Sequence, residues 1–470
     1  MRWCRNGRRS LGASPRGPAR QRSTPLGLAL ALIAAALAPT GCTSLRAVNT
    51  RLEQQDPNYG YRPRAASRQR HSGDAVIYLA LSGGGTRAAA FAYGVFEELH
   101  ATGISVDGKA KTMLDEVDTI SGVSGGSFPA AYYGLFGDRI FEDFEARFLK
   151  RNVQSDIFLR ALLPWNLVGL MTPWLSRSDL ASRLYDRKIF NRATFADLSA
   201  ARGPRIFINA TDLSSGDRMS FNQDTFDVIC SDLDVLPIGT AVAASSAVPV
   251  LLSPITLKNY AGSCDYEPPA WVTEALKHPN ANPRRNRAAK SFERLRDPGR
   301  KRYIHLIDGA ISDNLGLHPS IDFVSAAGGI QEAGQVTGAA IPDHLAFIVV
   351  NAETDPDPAI DLSAASPSFA ALMGSVSGSQ IRRYNFETLV LAGELLRRWA
   401  RELSTPEHPV TAHMVTVGFD ELSDEDEREF FKLLPTSFQL SDQEVDRLRE
   451  VGRRLLRNSP AYQGLVKQLQ

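Results

Sequence analysis

Ser124 stands at the centre of Gly122-Val123-Ser124-Gly125-Gly126, a G-x-S-x-G arrangement. Residues 117–120 before it read as a short strand, and 128–133 after it open an apolar, helix-compatible run. A serine on a sharp strand-to-helix turn is thrust outward, and small neighbours let the two elements pass closely. Glycine-rich turns also occur for purely structural reasons, so a second signal is needed. Ser82-Gly83-Gly84-Gly85-Thr86-Arg87 supplies one. It joins a continuous apolar strand, 75–81, to an alanine-rich helix, 88–99. Unshielded N–H groups of Gly83, Gly84 and Gly85 suit an anion, either a phosphate or a tetrahedral oxyanion. A phosphate loop would need Gly-Lys-Ser/Thr after the glycines, which is absent. A dinucleotide fingerprint would need Ala88 in place of its third glycine, a permitted variant. Placement ahead of the serine turn fits an oxyanion hole better. Arg87 either adds positive charge there or pairs with a carboxylate.

The hydroxyl needs a proton acceptor. His71, His100, His278, His305, His318, His344, His408 and His413 are available, none in a conspicuous turn. Asp308-Gly309 follows an expected strand at 303–307, and catalytic groups of open parallel sheets gather at such ends. Asp-Gly is also a common plain turn. A free aspartate, with a pKa of about 3.9, is a poor base unless burial raises it.

The three motifs, in this order and with Ala310 after Asp308-Gly309, resemble the patatin-like phospholipases over roughly residues 75–420. The resemblance implies a three-layer α/β sandwich, a mainly parallel sheet with helices on both faces. It also implies a lipid acyl hydrolase with a Ser–Asp dyad and no histidine. Ser124 would be the nucleophile and Asp308 the base. Gly83, Gly84 and Gly85 would hold the oxyanion, with Arg87 in support. Residues 207–212 and 244–249 are also family-like, and no chemistry is assigned to them. One rival reading is a Ser-His-Asp esterase using His318, His344 or His408. Another is a non-catalytic, lipid-binding envelope lipoprotein.

The elements around the motifs divide the chain. Residues 1–41 hold seven arginines and no acidic residue, followed by a 13-residue apolar run, 26–38. That run is short for a membrane span and suits a signal peptide. It leads to Gly41-Cys42, which resembles a bacterial lipoprotein signal with Cys42 lipidated, although Pro39 replaces the usual branched residue. The expected setting is the bacterial envelope, facing the periplasm. Thr43 after the cysteine mildly favours the outer membrane. Beyond the leader the 52 acidic residues outnumber the basic ones, which argues against a nucleic-acid partner. Cys230 and Cys264 form an even pair, read either as a disulfide or as two buried thiols.

Residues 42–73 read as a polar tether and 74–420 as the hydrolase domain. Residues 265–302 look like a proline-flanked basic insertion, plainly a solvated loop and alternatively a headgroup contact. Residues 158–175 carry two tryptophans and two prolines. Their plain reading is core helices, and their other reading is a pocket cover or lipid contact. Residues 421–470 are expected to form a helical extension, opened by a capping box at Ser441 and Glu444. No His/Cys/carboxylate set has ligand spacing, so no metal or cofactor is expected.

Overall fold

A computed structural model describes residues 46–62, 73–106, 108–249, 251–356, 360–362, 364 and 366–470. The leader and Cys42 lie outside the described residues. One eight-stranded sheet organises the chain. Its strands are β1 (Ala75–Leu81), β2 (Val117–Val123), β3 (Arg205–Asp212), β4 (Arg218–Ser220), β5 (Ile255–Lys258), β6 (Tyr303–Asp308), β7 (His344–Asn351) and β8 (Thr411–Gly418). The order is β8-β7-β1-β2-β3-β6-β5, with β4 beside β3. The five strands β8 to β3 run parallel. Strand β6 is antiparallel to β3, and β5 to β6.

The helices used below are α1 (Gly85–Ala101), α2 (Ser127–Phe136), α3 (Val153–Ala161), α4 (Pro164–Leu170), α5 (Arg177–Lys188), α6 (Ile238–Ser245), α7 (Ala270–Lys277), α8 (Pro283–Leu295), α9 (Ala310–Asp313), α10 (His318–Ala327), α11 (Ile330–Thr337), α12 (Phe369–Leu403) and α13 (Asp442–Asn458). They cover both faces of the sheet. β1 shows why: Ile77, Leu79 and Leu81 join Phe91 of α1 and Val445 of α13, whereas Tyr78 and Ala80 meet Ile321 of α10 and Trp399 of α12. A strand with two apolar faces needs a helical layer on each side.

The C-terminal segment proves to be part of the main core. Its capping box forms as expected. α13 then crosses α1 at two glycines. A Cβ on Gly94 would stand 2.0 Å from the Arg449 carbonyl oxygen, and one on Gly452 2.5 Å from that of Phe91. Buried Glu98 of α1 is held by Arg457, with Nε to Oε1 at 2.8 Å. α13 therefore clamps the helix that carries the glycine loop.

Two expectations about loops need correction. Residues 46–62 are a strap laid on the domain, not a tether. Thr50–Arg51 pairs with Ser231–Asp232, and Tyr61 is buried in the core. Arg62 bonds Asp224 at 2.6 Å and Asp227 at 2.7 Å. The strap's few apolar residues were outnumbered by polar ones whose partners lie over 160 positions away, which is why the composition read as unfolded. Residues 265–302 contain the helix pair α7–α8, with Val272, Ala275 and Ala289 as a small core. Arg287 and Arg294 of α8 face Asp217, so part of the basic run is spent on ion pairs.

Cys230 and Cys264 are joined as a disulfide, with their Cα atoms 5.6 Å apart. It closes a loop of 34 positions, so its loss in Cys230→Ala/Cys264→Ala is expected to lower stability by about 4 kcal/mol. Denaturant unfolding of the two proteins checks this; an unchanged midpoint would contradict it.

Candidate active site

β2 ends at Val123 and a single 3-10 turn, Ser124–Gly126, leads directly into α2. Ser124 takes φ +50°, a left-handed conformation that costs a non-glycine residue about 1 kcal/mol or more. The turn survives because its surroundings fix it. The Ser124 N–H donates to Ser245 Oγ at 2.9 Å, and that hydroxyl donates to the Asn209 carbonyl at 2.6 Å. Asn209 Nδ2 in turn holds Ser121 Oγ at 2.9 Å and the Gly122 carbonyl at 3.2 Å. Both the 207–212 and 244–249 segments thus act on the serine turn by positioning it. The sequence signal was the run of small polar residues ending α6, but its target lies 121 positions away.

Asp308 ends β6, beside Ala210 of β3. Ser124 Oγ donates to its Oδ2 at 2.7 Å, and the Ala310 N–H donates to its Oδ1 at 2.9 Å. Both residues are 3% exposed. Burial raises the carboxyl to a pKa of about 6, against the opposing pull of those two hydrogen bonds. The backbone on either side is pinned too: the Asp308 N–H donates to the Ala247 carbonyl at 3.0 Å, and Thr211 Oγ1 donates to the Asp308 carbonyl at 2.8 Å.

The glycine loop packs directly against the serine turn. A Cβ on Gly83 would lie 3.3 Å from that of Ser124, and one on Gly125 only 2.1 Å from the Gly85 carbonyl oxygen. The three glycines are not equivalent donors. The Gly83 N–H is engaged by Asn314, with its carbonyl at 3.1 Å and Oδ1 at 3.2 Å. Among the described residues those of Gly84 and Gly85 meet no acceptor. Gly84 and Gly85 take φ +140° and +61°, which only glycine adopts readily. Gly83 is therefore corrected from oxyanion donor to anchor of the loop. Asn314, six residues past Asp308, was not singled out; its role follows from the tertiary fold alone.

Arg87 is buried and meets no carboxylate in any ion pair among the described residues. Its Nε donates to the Ala352 carbonyl at 3.1 Å, and its other nitrogens to the Leu434 carbonyl at 2.6 Å and Thr436 Oγ1 at 3.0 Å. Burial pulls its pKa down to about 10, so it stays cationic. Its donors thus point to the 434–436 segment. The next residue, Ser437, accepts the Thr86 N–H at 2.8 Å through its carbonyl. Arg87 ties the C-terminal segment to the glycine loop, and any aid to an oxyanion comes through charge.

The histidines offered for a triad lie elsewhere. His318 Nε2 is bonded to Tyr384 at 2.9 Å. His344 begins β7, level with Ala75 at the opposite end of the sheet from Leu81, and His408 precedes β8 on the same side. No described histidine bonds Ser124 or Asp308. Among the described residues no group of three His, Cys, Asp or Glu side chains is placed to hold a metal. A cavity of about 2020 Å³ runs under α10 and α11 and reaches Ile311 and Ser312, but neither Ser124 nor Asp308 lines it.

Gly125→Ala is expected to force the two loops apart, since backbone atoms on both sides cannot yield. The expected consequence of displacing the Gly84 and Gly85 amides is a fall in ester hydrolysis of roughly 10²-fold or more. Assay with a soluble ester checks this; wild-type turnover in the variant would contradict the loop contact.

A family model described as patatin-like phospholipase matches residues 79–321. No curated protein matches the chain. A solved structure of human GIVD cytosolic phospholipase A2 aligns with 93% of this chain and 65% of its own, at 12% identity and TM-score 0.45. The same human protein in complex with methyl gamma-linolenyl fluorophosphonate inhibitor and terbium chloride aligns with 87% and 60%, at 13% identity and TM-score 0.40. The chain spans less than two thirds of the length of these structures.

Proposed function

The chain belongs to the patatin-like phospholipase family, and on that premise we propose that it hydrolyses fatty-acyl esters of lipids with a Ser124–Asp308 dyad. The observation that carries the reading is the 2.7 Å hydrogen bond from Ser124 Oγ to a buried carboxylate. As Ser124 Oγ attacks the ester carbonyl, its proton passes to Asp308 Oδ2. The carbonyl oxygen becomes an oxyanion, held by the N–H groups of Gly84 and Gly85. Collapse breaks the ester C–O bond, and the leaving alkoxide takes the proton from Asp308. Water then gives a proton to Asp308 as it attacks the acyl-enzyme, and on collapse Asp308 returns that proton to Ser124 Oγ, releasing the fatty acid and regenerating both residues. A base raised to about 6 is ionised at neutral pH yet basic enough to take a proton in the transition state. The raised carboxyl answers the mismatch that a free aspartate presents.

The test is the full chain assayed against phospholipid, lysophospholipid and triacylglycerol dispersions, with released fatty acid measured. Release from at least one class, absent in Ser124→Ala, is expected. No release from any class, or equal release by the variant, would refute the reading.

A further inference from the structure

We propose that α3, α4 and the turn into α5 form a docking surface for a phospholipid bilayer, placed at the lip of the Ser124 site. The purpose of the surface depends on the hydrolase reading; its geometry does not. The segment was expected to be core. Instead Leu159, Trp165, Val168, Met171 and Trp174 are 61%, 68%, 64%, 61% and 65% exposed. A contiguous run of large apolar side chains facing water marks a contact surface.

The charge pattern selects the occupant. Residues 161–176 contain no charged side chain, and the two charges that flank the run, Arg160 and Arg177, are both cationic. Further along α5, Arg183, Arg187 and Lys188 are exposed and enter no ion pair among the described residues. An apolar face bearing tryptophans and bordered by cations matches the boundary between acyl chains and anionic headgroups. At nine and seven residues, α3 and α4 are each too short to cross a bilayer, so the proposed contact is with one leaflet.

The position ties the surface to the site. At one end, the Gln154 N–H of α3 donates to the Phe438 carbonyl, next to Ser437, which holds the glycine loop. At the other end Ser178 Oγ of α5 donates to the Ser253 carbonyl. That segment begins at Ala247, whose carbonyl holds Asp308. Leu251 within it and Ile311 just after Asp308 are also exposed. The α3–α4 pair therefore runs from the oxyanion side of the site to the Asp308 side, with its apolar side chains outward.

The test uses tryptophan emission of the full chain with vesicles of phosphatidylcholine and phosphatidylglycerol, carrying plain or brominated acyl chains. Trp165→Ser/Trp174→Ser removes the two reporters, and the emission they contribute is the difference from wild type. That difference is expected to fall severalfold with brominated vesicles only. Val168→Ser/Met171→Ser keeps both reporters and is expected to weaken vesicle partition by roughly tenfold or more. A difference emission untouched by bromine overturns the proposal. So does wild-type self-association that the serine variants abolish without any quenching, since a second copy would then cover the face. Ser124→Ala is expected to dock like wild type, so a failed hydrolase assay leaves this result standing or falling by itself.

Discussion

Ser124→Ala is expected to lose ester hydrolysis by a factor of about 10⁴ or more while keeping its fold. Without the hydroxyl no acyl-enzyme forms, and water would have to attack directly. The side chain lost is a single oxygen, and the backbone contacts that fix the turn come from Ser245 and Asn209, not from the Ser124 hydroxyl. Ser124→Gly separates strain from chemistry. It should be equally inactive and more stable than Ser124→Ala by about 1 kcal/mol, because both lack the hydroxyl and only glycine accepts φ +50° readily. Initial rates on a soluble ester and chemical unfolding measure the two effects. Substantial turnover by either variant would remove Ser124 from the reaction.

Asp308→Asn is expected to abolish activity to a similar degree and to stabilise the protein at neutral pH. Burial raises the folded pKa to about 6 from an unfolded value near 3.8. The folded state therefore binds more protons than the unfolded state across that interval, and stability falls as pH rises through it. Above pH 6 the buried carboxylate costs about 3 kcal/mol at most, which the neutral amide does not incur. Part of that gain is offset by a weaker hydrogen bond with Ser124, leaving about 2 kcal/mol. The gap between Asp308→Asn and wild type should close below about pH 4. In wild type the rate should rise through about pH 6, as the base ionises. Unfolding curves at pH 4 and 7.5 decide the first point, and a pH–rate profile the second. A variant less stable than wild type at both pH values would contradict the burial argument.

The chemistry was more legible than its supports. Glycine at 83–85, 122 and 125–126 announced close approaches, and the continuous apolar run at 75–81 announced a strand. These are local rules, and β1 and the serine turn obey them. Which glycine amide is free is a tertiary matter. Asn314 takes the Gly83 N–H, and nothing in either stretch foretells that pairing. The same holds for Arg87, whose partners at 352, 434 and 436 lie on distant segments. Residues 158–175 misled because apolar composition alone does not distinguish a buried helix from one whose apolar side chains face outward. Only the exposure of Trp165 and Trp174 separates them. The strap at 46–62 misled in the opposite sense, since its order comes from Asp224, Asp227 and the β-pairing to Ser231 rather than from its own apolar content.

The central claim is that a lone carboxylate at 308 activates the hydroxyl at 124. The most direct measurement is the rate at which a fluorophosphonate modifies the protein, followed by mass spectrometry across pH 4.5 to 8. The account predicts a single adduct on Ser124, with a rate that climbs through about pH 6 in wild type and is low and flat in Asp308→Asn. An adduct on another residue, or the same rate profile in both proteins, would contradict it.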